Sequence, residues 1–189
     1  MNDLNNYMLT RRSSLSLSLE EPGPSADQIS QIVTIAARVP DHGKLAPWRF
    51  ELWTKSARER MHTELSDLLN GMAGIDDVPK KQKGTDKLLH APCLLAVISQ
   101  ADEHPKIPVW EQHLSVGAAC MNCLIAANSL GFEAQWLTAW YVYEDAARSI
   151  MGLSENEKIA GLIHIGSSTT PKNERPRPDV ASIFSVKAD

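Results

Sequence analysis

The feature that most constrains the fold is a long run of small and apolar residues over positions 110–130. Its most apolar part, residues 114–130, is interrupted by Ser115, Asn122, Asn128 and Ser129. It therefore falls short of a membrane span, which needs roughly 20 consecutive, predominantly apolar residues. Gly131 follows the run, at the position where a glycine commonly ends a helix. The run predicts a long, buried central helix.

Composition sets the class of molecule. The chain has 189 residues, of which 43% are hydrophobic and 22% charged, and this predicts one folded domain over residues 1–189. A net charge of -4 argues against partners such as nucleic acids or anionic membranes. Three cysteines are too few for a disulfide framework, and the N-terminus has no secretory pattern, so we expect a cytoplasmic protein.

The remaining helices and strands are predicted from the spacing of apolar residues and from capping, proline and glycine residues at their ends. Ser25 and Gln28 form a capping-box pattern before a helix that ends near Pro40. Further helices are expected over residues 4–9, 56–69 and 146–151, and strands over residues 48–52, 92–99, 132–136 and 161–165. Residues 70–87 lack periodicity and predict a mobile loop or lid, and an extended basic tail follows Gly166. Helices mixed with short strands favour an α+β, three-layer arrangement.

The segment at residues 40–50 is the first candidate for chemistry. It joins a helix to a strand and places His42, Gly43 and Lys44 on a loop close to Trp48. A glycine lets backbone N–H groups approach a ligand, and a lysine supplies a positive charge, so the loop suits an anionic, planar ligand. A plain solvated connection explains the same residues equally well.

Two arginine clusters are candidates for binding phosphate. Arg11 and Arg12 precede Ser13, and Arg175 and Arg177 flank a proline in the tail. Guanidinium and hydroxyl groups donate charge-assisted hydrogen bonds to phosphate oxygens. Each cluster alone is more often a solvated surface run. The sequence has neither a P-loop nor a Gly-x-Gly-x-x-Gly pattern, so side chains would have to hold any phosphate.

Patterns for a metal or a protein nucleophile are not found. Cys120 and Cys123 lie inside the predicted central helix, where cysteines usually act as small hydrophobes. The histidines are scattered without the spacing of metal ligands, and no metal site is expected. If the chain is an enzyme, a cofactor is therefore expected to supply the chemistry.

Taken in order, these motifs resemble the nitroreductase family of FMN-dependent oxidoreductases. The resemblance covers Arg11-Arg12-Ser13, residues 40–50, the helix end at residues 126–131 and Trp136-Leu137-Thr138, and it is strongest with the smallest members. It implies a central, mainly antiparallel sheet surrounded by helices. It also implies an intimate homodimer with FMN at the subunit interface, NADH or NADPH as the electron donor, and a small-molecule acceptor.

The resemblance also implies site residues. Lys44 and Ala46 stand where the wider family has Asn and Gln. Lys44 is the candidate for tuning the flavin, because its positive charge would stabilise the reduced, anionic form. The flavin face would be open or covered only by residues 70–87. No protein acid or base is implied as a catalytic residue. His42 is expected to reach the FMN of the partner subunit. The cofactor-binding residues implied are Arg11, Arg12, Ser13, Arg38, His42, Lys44, Trp136, Leu137, Thr138, Arg175 and Arg177, and the NAD(P)-binding residues are Ala126, Ala127, Asn128, Ser129, Leu130 and Gly131.

The expected activity is a ping-pong transfer of a hydride from NAD(P)H through flavin N5 to a nitroaromatic, a quinone or a similar acceptor. A flavin-binding storage or sensor protein with little turnover is the alternative. A third interpretation, a flavin-free structural or interaction protein, would require every basic cluster and the 40–50 segment to be coincidental.

Overall fold

The computed structural model describes residues 3–74 and 76–188, and this part of the chain contains five α-helices and four strands. Residues 1, 2, 75 and 189 of the expected domain lie outside the described residues. The helices are α1 (Asp3–Thr10), α2 (Ala26–Ala36), α3 (Lys55–Gly71), α4 (Val78–Asp86) and α5 (Val109–Ser129). The strands are β1 (Trp48–Leu52), β2 (Cys93–Ser99), β3 (Glu133–Leu137) and β4 (Lys158–Gly166).

The four strands form one sheet in the order β1-β2-β4-β3, and all three pairings are antiparallel. Every residue of β2 is buried, as expected for a central strand covered on both faces. β1 and β3 are the two edges. The edge at β3 becomes important for the site because another segment of the chain lies along it.

Helices cover both faces of the sheet and so make three layers. On one face, α2 and α5 pack their apolar sides against Leu95, Val97 and Ile163. On the other face, α3 and the turns after β3 pack against Leu94 and Leu162. The α+β class and the mainly antiparallel sheet are therefore confirmed.

Short sequence patterns predicted most helix ends correctly. Ser25 caps α2 with the reciprocal hydrogen bonds of a capping box to Gln28. The helix α5 ends just before Gly131, whose φ of 86° is in the left-handed region. α5 is buried along much of its length, and within residues 3–74 and 76–188 no helix is long and apolar enough to cross a membrane.

Two sequence expectations were wrong. Residues 70–87 are not an irregular loop throughout, because Val78–Asp86 forms α4. Side chains hold this helix on α3: Gln82 donates to Ser66 at 2.9 Å, and Asp86 contacts Nε2 of His62 at 3.0 Å. The helix expected over residues 146–151 is reduced to one 3-10 turn, Asp145–Ala147. The basic tail is exposed and irregular, apart from the 3-10 turn Val180–Ser182.

Candidate functional site

The segment after α1 runs along the free edge of β3. The backbone N–H of Ser14 donates to the carbonyl of Ala134 at 3.3 Å, and its hydroxyl donates to Oε2 of Glu133 at 2.7 Å. The N–H of Ser16 donates to Oε1 of Gln135 at 2.6 Å. An edge strand offers unpaired groups for such contacts. The edge therefore fixes the position of the basic cluster that precedes Ser14.

A cavity of about 240 Å³ lies between this cluster and the start of the C-terminal tail. Arg12 and Ser13 line one side, and Lys172 and Asn173 line the other. Nε of Arg12 donates to the carbonyl of Asn173 at 3.1 Å, and Nζ of Lys172 lies 2.6 Å from Oε2 of Glu133. The wall thus combines an arginine, a lysine and a hydroxyl, which is a donor set suited to phosphate oxygens.

Arg11 lies beside this cavity with an unsatisfied donor. Its Nη2 donates to Oγ of Ser13 at 3.4 Å, while its Nε is buried without a hydrogen-bond partner among the described residues. A buried, unpaired donor costs about 1–3 kcal/mol. An anionic group placed beside Ser13 would offset that cost, so these residues fit a phosphate.

Sequence reasoning placed Lys172 in the basic tail and gave it no role in the site. The structure brings it to Glu133, which lies 39 residues earlier in the chain. Local spacing contains no signal for a contact at that separation. Only the position of the tail against β3 reveals the pair.

Arg175 and Arg177 do not line the cavity. Nε of Arg177 lies 3.4 Å from Oε1 of Glu174, and the same oxygen lies 3.9 Å from Nε of Arg12. A hydrogen bond from the N–H of Arg175, together with the charges of these arginines, lowers the pKa of Glu174. Among the described residues, Arg177 is connected to the cavity through the exposed carboxylate of Glu174.

The segment Trp136, Leu137 and Thr138 ends β3 and begins the next connection. Nε1 of Trp136 donates to the carbonyl of Ala160 at 3.0 Å, and the side chain is 37% exposed. The hydroxyl of Tyr143 donates to Oγ1 of Thr138 at 3.2 Å. These bonds hold a partly exposed aromatic ring and a hydroxyl side by side at the sheet edge.

Thr138 also lines a second cavity, of about 920 Å³, between this connection and α4. Nε1 of Trp140 donates to Oγ1 of Thr85 at 3.0 Å and ties α4 to the connection. The part of residues 70–87 that was expected to cover the site is thus a helix anchored beside Thr138.

The turn at residues 41–46 has an unusual backbone. Gly43, Lys44 and Ala46 have φ angles of 75°, 58° and 47°, in the left-handed region. The carboxylate of Asp41 stabilises this conformation, since it accepts the N–H of Leu45 at 3.1 Å and that of Ala46 at 2.8 Å. Non-glycine residues in this region are strained, and such strain is concentrated at functional sites. Lys44 projects from the turn and is exposed.

His42 contacts α5 in its first turn, and Arg38 contacts it nearer the middle. Nδ1 of His42 is 2.7 Å from Oε2 of Glu111 in the first turn of α5, and the backbone carbonyl of Arg38 accepts from Asn122. The N-terminal cluster approaches the other end of the helix, where the hydroxyl of Tyr7 donates to Asn128. Glu111 and Asn128 are seventeen positions apart on α5, which corresponds to about 25 Å of helix. One chain therefore does not bring His42 to the cavity of Arg12.

The six residues expected to bind NAD(P) form the end of α5 and its cap. Ala126 and Ala127 are fully buried in the core. Asn128 accepts from Tyr7 and donates to the carbonyl of Phe132, and Ser129 donates to the carbonyl of Ala126. Leu130 and Gly131 complete the helix end. Most polar groups of this segment are used within the chain.

The cysteines behave as core residues. Cys120 and Cys123 are buried in α5, and burial raises the pKa of the Cys120 thiol to about 12. A thiol with a raised pKa is a poor nucleophile at neutral pH. Across the described ranges 3–74 and 76–188, no three His, Cys, Asp or Glu side chains are grouped to hold a metal ion.

Known sequences match most of this chain. The family model described as "Nitroreductase family" matches residues 9–167. A relative named "Putative NAD(P)H nitroreductase YdjA" from Escherichia coli K12 is 30% identical over 160 residues, covering 85% of each chain. Another, "Putative NAD(P)H nitroreductase" from Haemophilus influenzae, is 32% identical over 162 residues, covering 85% of this chain and 86% of that one.

Solved structures share the fold. A nitroreductase-like protein from Bacillus cereus superposes with a TM-score of 0.82 at 20% identity, covering 98% of this chain and 96% of that one. A nitroreductase with bound FMN from Bacteroides fragilis gives a TM-score of 0.75 at 19% identity, covering 99% and 100%. With the family match extending over the arginine cluster, the residue 41–46 turn and the whole sheet, the chain belongs to the nitroreductase family.

Proposed function

We propose that this protein is an FMN-dependent oxidoreductase that takes electrons from NAD(P)H and passes them to a nitroaromatic, a quinone or a similar small acceptor. The observation that carries the proposal is the cavity between Arg12, Ser13 and Lys172, next to the buried and unpaired Nε of Arg11. The names of the E. coli and H. influenzae relatives, and the FMN bound in the B. fragilis structure, support the same cofactor and donor.

Each part of the site has a distinct task in this proposal. Arg11, Arg12, Ser13 and Lys172 would hold the phosphate of FMN, and residues 136–138 would orient its ring. Bound FMN supplies the chemistry, a two-electron transfer at N5 from the nicotinamide to the acceptor in ping-pong order. A positive group near the pyrimidine edge stabilises a reduced, anionic flavin, and Lys44 is our candidate for it.

We also propose that the site is completed by a second copy of the chain. His42 and Arg12 are at opposite ends of α5, so both reach one flavin only if two chains contribute. The first half of α5 carries two exposed apolar side chains next to Glu111: Trp110 is 68% exposed and Leu114 is 54% exposed. Apolar surface of this kind is typical of a subunit interface.

Two further assignments remain proposals. The NAD(P) role of residues 126–131 rests on the family resemblance. Most of these side chains are buried or hydrogen-bonded within the chain, so their geometry adds no support. The cytoplasmic location is proposed from the low cysteine content.

The test is an absorbance titration of the purified protein with FMN, followed by anaerobic addition of NADH or NADPH. We expect tight binding of FMN, bleaching of the flavin bands by one or both donors, and return of the bands when 1,4-benzoquinone is added. Bound flavin that neither donor bleaches would favour a storage or sensor protein. Failure to bind FMN would refute the proposed function.

A further inference from the structure

The cavity of about 920 Å³ beside Thr138 is lined by α4 and by the 3-10 turn Lys87–Leu89 that follows it, and this segment carries a concentrated positive charge. Four of the ten lysines of the chain fall within residues 80–87, and all four line this cavity. They are Lys80, Lys81, Lys83 and Lys87. The chain as a whole has a net charge of -4, so this segment departs from the charge balance of the molecule.

The acidic residues of the cavity leave most of this charge unneutralised. Asp77 lies 3.9 Å from Nζ of Lys80. Asp86 accepts from His62 and Gln82 instead, and these hydrogen bonds lower its pKa. Lys81, Lys83 and Lys87 have no carboxylate within 4.0 Å in the described part of the chain. Several positive charges in a concave wall attract and concentrate anions.

The α4 helix packs closely against residues that also line the cavity. A β-carbon at Gly84 would lie 3.5 Å from Cβ of Ala139 and 3.9 Å from Cδ1 of Trp140, so α4 packs closely on this connection. The hydrogen bond from Trp140 to Thr85 holds the same contact. The lining also includes Leu17, Ala139 and Trp140, which are largely apolar. A lining that combines positive charges with apolar side chains suits a molecule with a flat apolar body and an anionic group.

We propose that this cavity binds the anionic oxygens of the molecule that exchanges electrons with the flavin. This inference rests on the proposed function, since Thr138 joins the cavity to the segment proposed to orient the flavin. The shared chemistry is a carboxylate, sulfonate or phosphate oxygen recognised by Lys83 and Lys87. Such a group belongs either to an aromatic acceptor or to the phosphates of the nicotinamide donor, and the test distinguishes these two sources.

The test uses two double variants with the same change in net charge. Lys83→Gln/Lys87→Gln removes two charges from the cavity, whereas Lys106→Gln/Lys158→Gln removes two exposed charges outside its lining. Lys83→Arg/Lys87→Arg keeps the charge and should keep the function. Circular dichroism and thermal unfolding verify that all variants fold, as expected for lysine side chains that are exposed or partly exposed.

For the acceptor, the FMN-loaded proteins are compared on 4-nitrobenzoate and on neutral 4-nitrobenzamide. We expect the cavity variant to raise KM for 4-nitrobenzoate about tenfold, as lost charge-assisted hydrogen bonds allow. KM for 4-nitrobenzamide should stay unchanged, and the control variant should change neither. This pattern assigns the charge to the acceptor.

For the donor, anaerobic flavin bleaching is followed with NADPH and NADH. A rise of about tenfold in the half-saturating NADPH concentration, with unchanged acceptor kinetics, would assign the lysines to nucleotide phosphate. If neither the anionic acceptor nor NADPH separates the cavity variant from the control variant, the proposal is wrong.

A third measurement does not need the flavin. Calorimetric titration of the flavin-free protein with 4-nitrobenzoate and with inorganic pyrophosphate tests the cavity directly. Arg12→Ala is added to both double variants, so that the proposed phosphate cavity does not bind the probes as well. Binding of either probe that is lost in the cavity variant and kept in the control supports the proposal. No binding, or equal binding by both variants, overturns it even if FMN binds and turns over normally. A protein that binds these probes but not FMN would refute only the proposed function.

Discussion

The indole of Trp136 lies directly over Gly161, and a β-carbon at this glycine would come within 2.7 Å of Cδ1 of the ring. Trp136 pairs with Ile163 in the sheet, so Gly161 is its diagonal neighbour on β4. The ring thus rests on the backbone of β4 and donates to the carbonyl of Ala160. The absence of a side chain at position 161 sets the height of a residue that we place beside the flavin.

Gly161→Ala is expected to displace the indole. The added methyl group would clash with the Trp136 ring, and overpacking of this kind costs about 1–3 kcal/mol of stability. We expect a lower melting temperature, altered tryptophan fluorescence and weaker FMN binding. Gly117→Ala is the control, because nothing lies within 4 Å of its added β-carbon. That helical substitution should be neutral or stabilise by about 0.5–1 kcal/mol. Equal effects of the two variants would contradict the role given to Gly161.

Arg12→Ala is expected to weaken FMN binding by roughly 10- to 150-fold, which corresponds to ~1.5–3 kcal/mol for hydrogen bonds to a charged group. Its side chain is 23% exposed and lines the proposed phosphate cavity. Arg60→Ala is the matched control, since that arginine pairs with Glu64 on the surface of α3. Fluorescence titration measures both dissociation constants. An unchanged value for Arg12→Ala would remove this residue from the phosphate site.

Lys44→Ala is expected to make the flavin harder to reduce. Loss of the positive charge destabilises the reduced, anionic form and moves the two-electron potential downward by about 30 mV for each 1.4 kcal/mol. Lys44→Arg keeps the charge and should keep most of the potential. Spectroelectrochemical titration measures the shift, and steady-state turnover measures its consequence. Unchanged potential and turnover in Lys44→Ala would refute this role.

A pair of substitutions on α5 tests whether two chains build the site. Trp110→Arg/Leu114→Arg places charges on the exposed apolar face and should shift a dimer to monomers. FMN affinity should fall with it, because His42 of one chain would no longer reach the flavin of the other. Leu89→Arg is a control on a 45% exposed leucine elsewhere. Analytical ultracentrifugation and flavin titration give the two readouts. A monomeric wild type that binds FMN tightly would contradict the shared site.

Glu157 is expected to make stability depend on acid. Nε of Arg49 donates to its Oε1 at 2.6 Å and Nη2 donates to its Oε2 at 3.0 Å. These hydrogen bonds lower the pKa of Glu157 to about 2. A carboxyl with a lowered pKa stabilises the fold above its ordinary pKa, and this stabilisation is lost as the pH falls from about 4.5 toward 2.

Glu157→Gln should therefore reduce the free energy of unfolding at pH 7 by ~1.5–3 kcal/mol and have a much smaller effect near pH 2. Urea unfolding at several pH values measures both. Glu64→Gln, which removes an exposed partner of Arg60, should change stability by less than about 1 kcal/mol throughout. A difference between Glu157→Gln and wild type that does not vary with pH would count against this account.

Signals from neighbouring residues were sufficient for much of the fold. The capping box at Ser25, the strand over residues 48–52 and the glycine after α5 were predicted correctly, because each depends on a few neighbouring residues. The alternation of the β1 sequence did not predict burial, since Leu52 is exposed. The α4 helix was missed because its sequence contains a proline and a glycine and has no apolar stripe. Its bonds to α3 and Trp140 come from distant parts of the chain.

The site shows the same division. The sequence by itself determined the chemical groups: the arginine and serine cluster after α1, the loop that carries His42, Gly43 and Lys44, and the run of small residues that becomes α5. Only the tertiary structure decided which groups meet. Lys172 and Arg12 line one cavity, the lysines of residues 80–87 line another together with Thr138, and His42 lies at the other end of α5. The physical reason is that hydrogen bonds and packing depend on distance in space, whereas sequence patterns report only neighbours within a few residues.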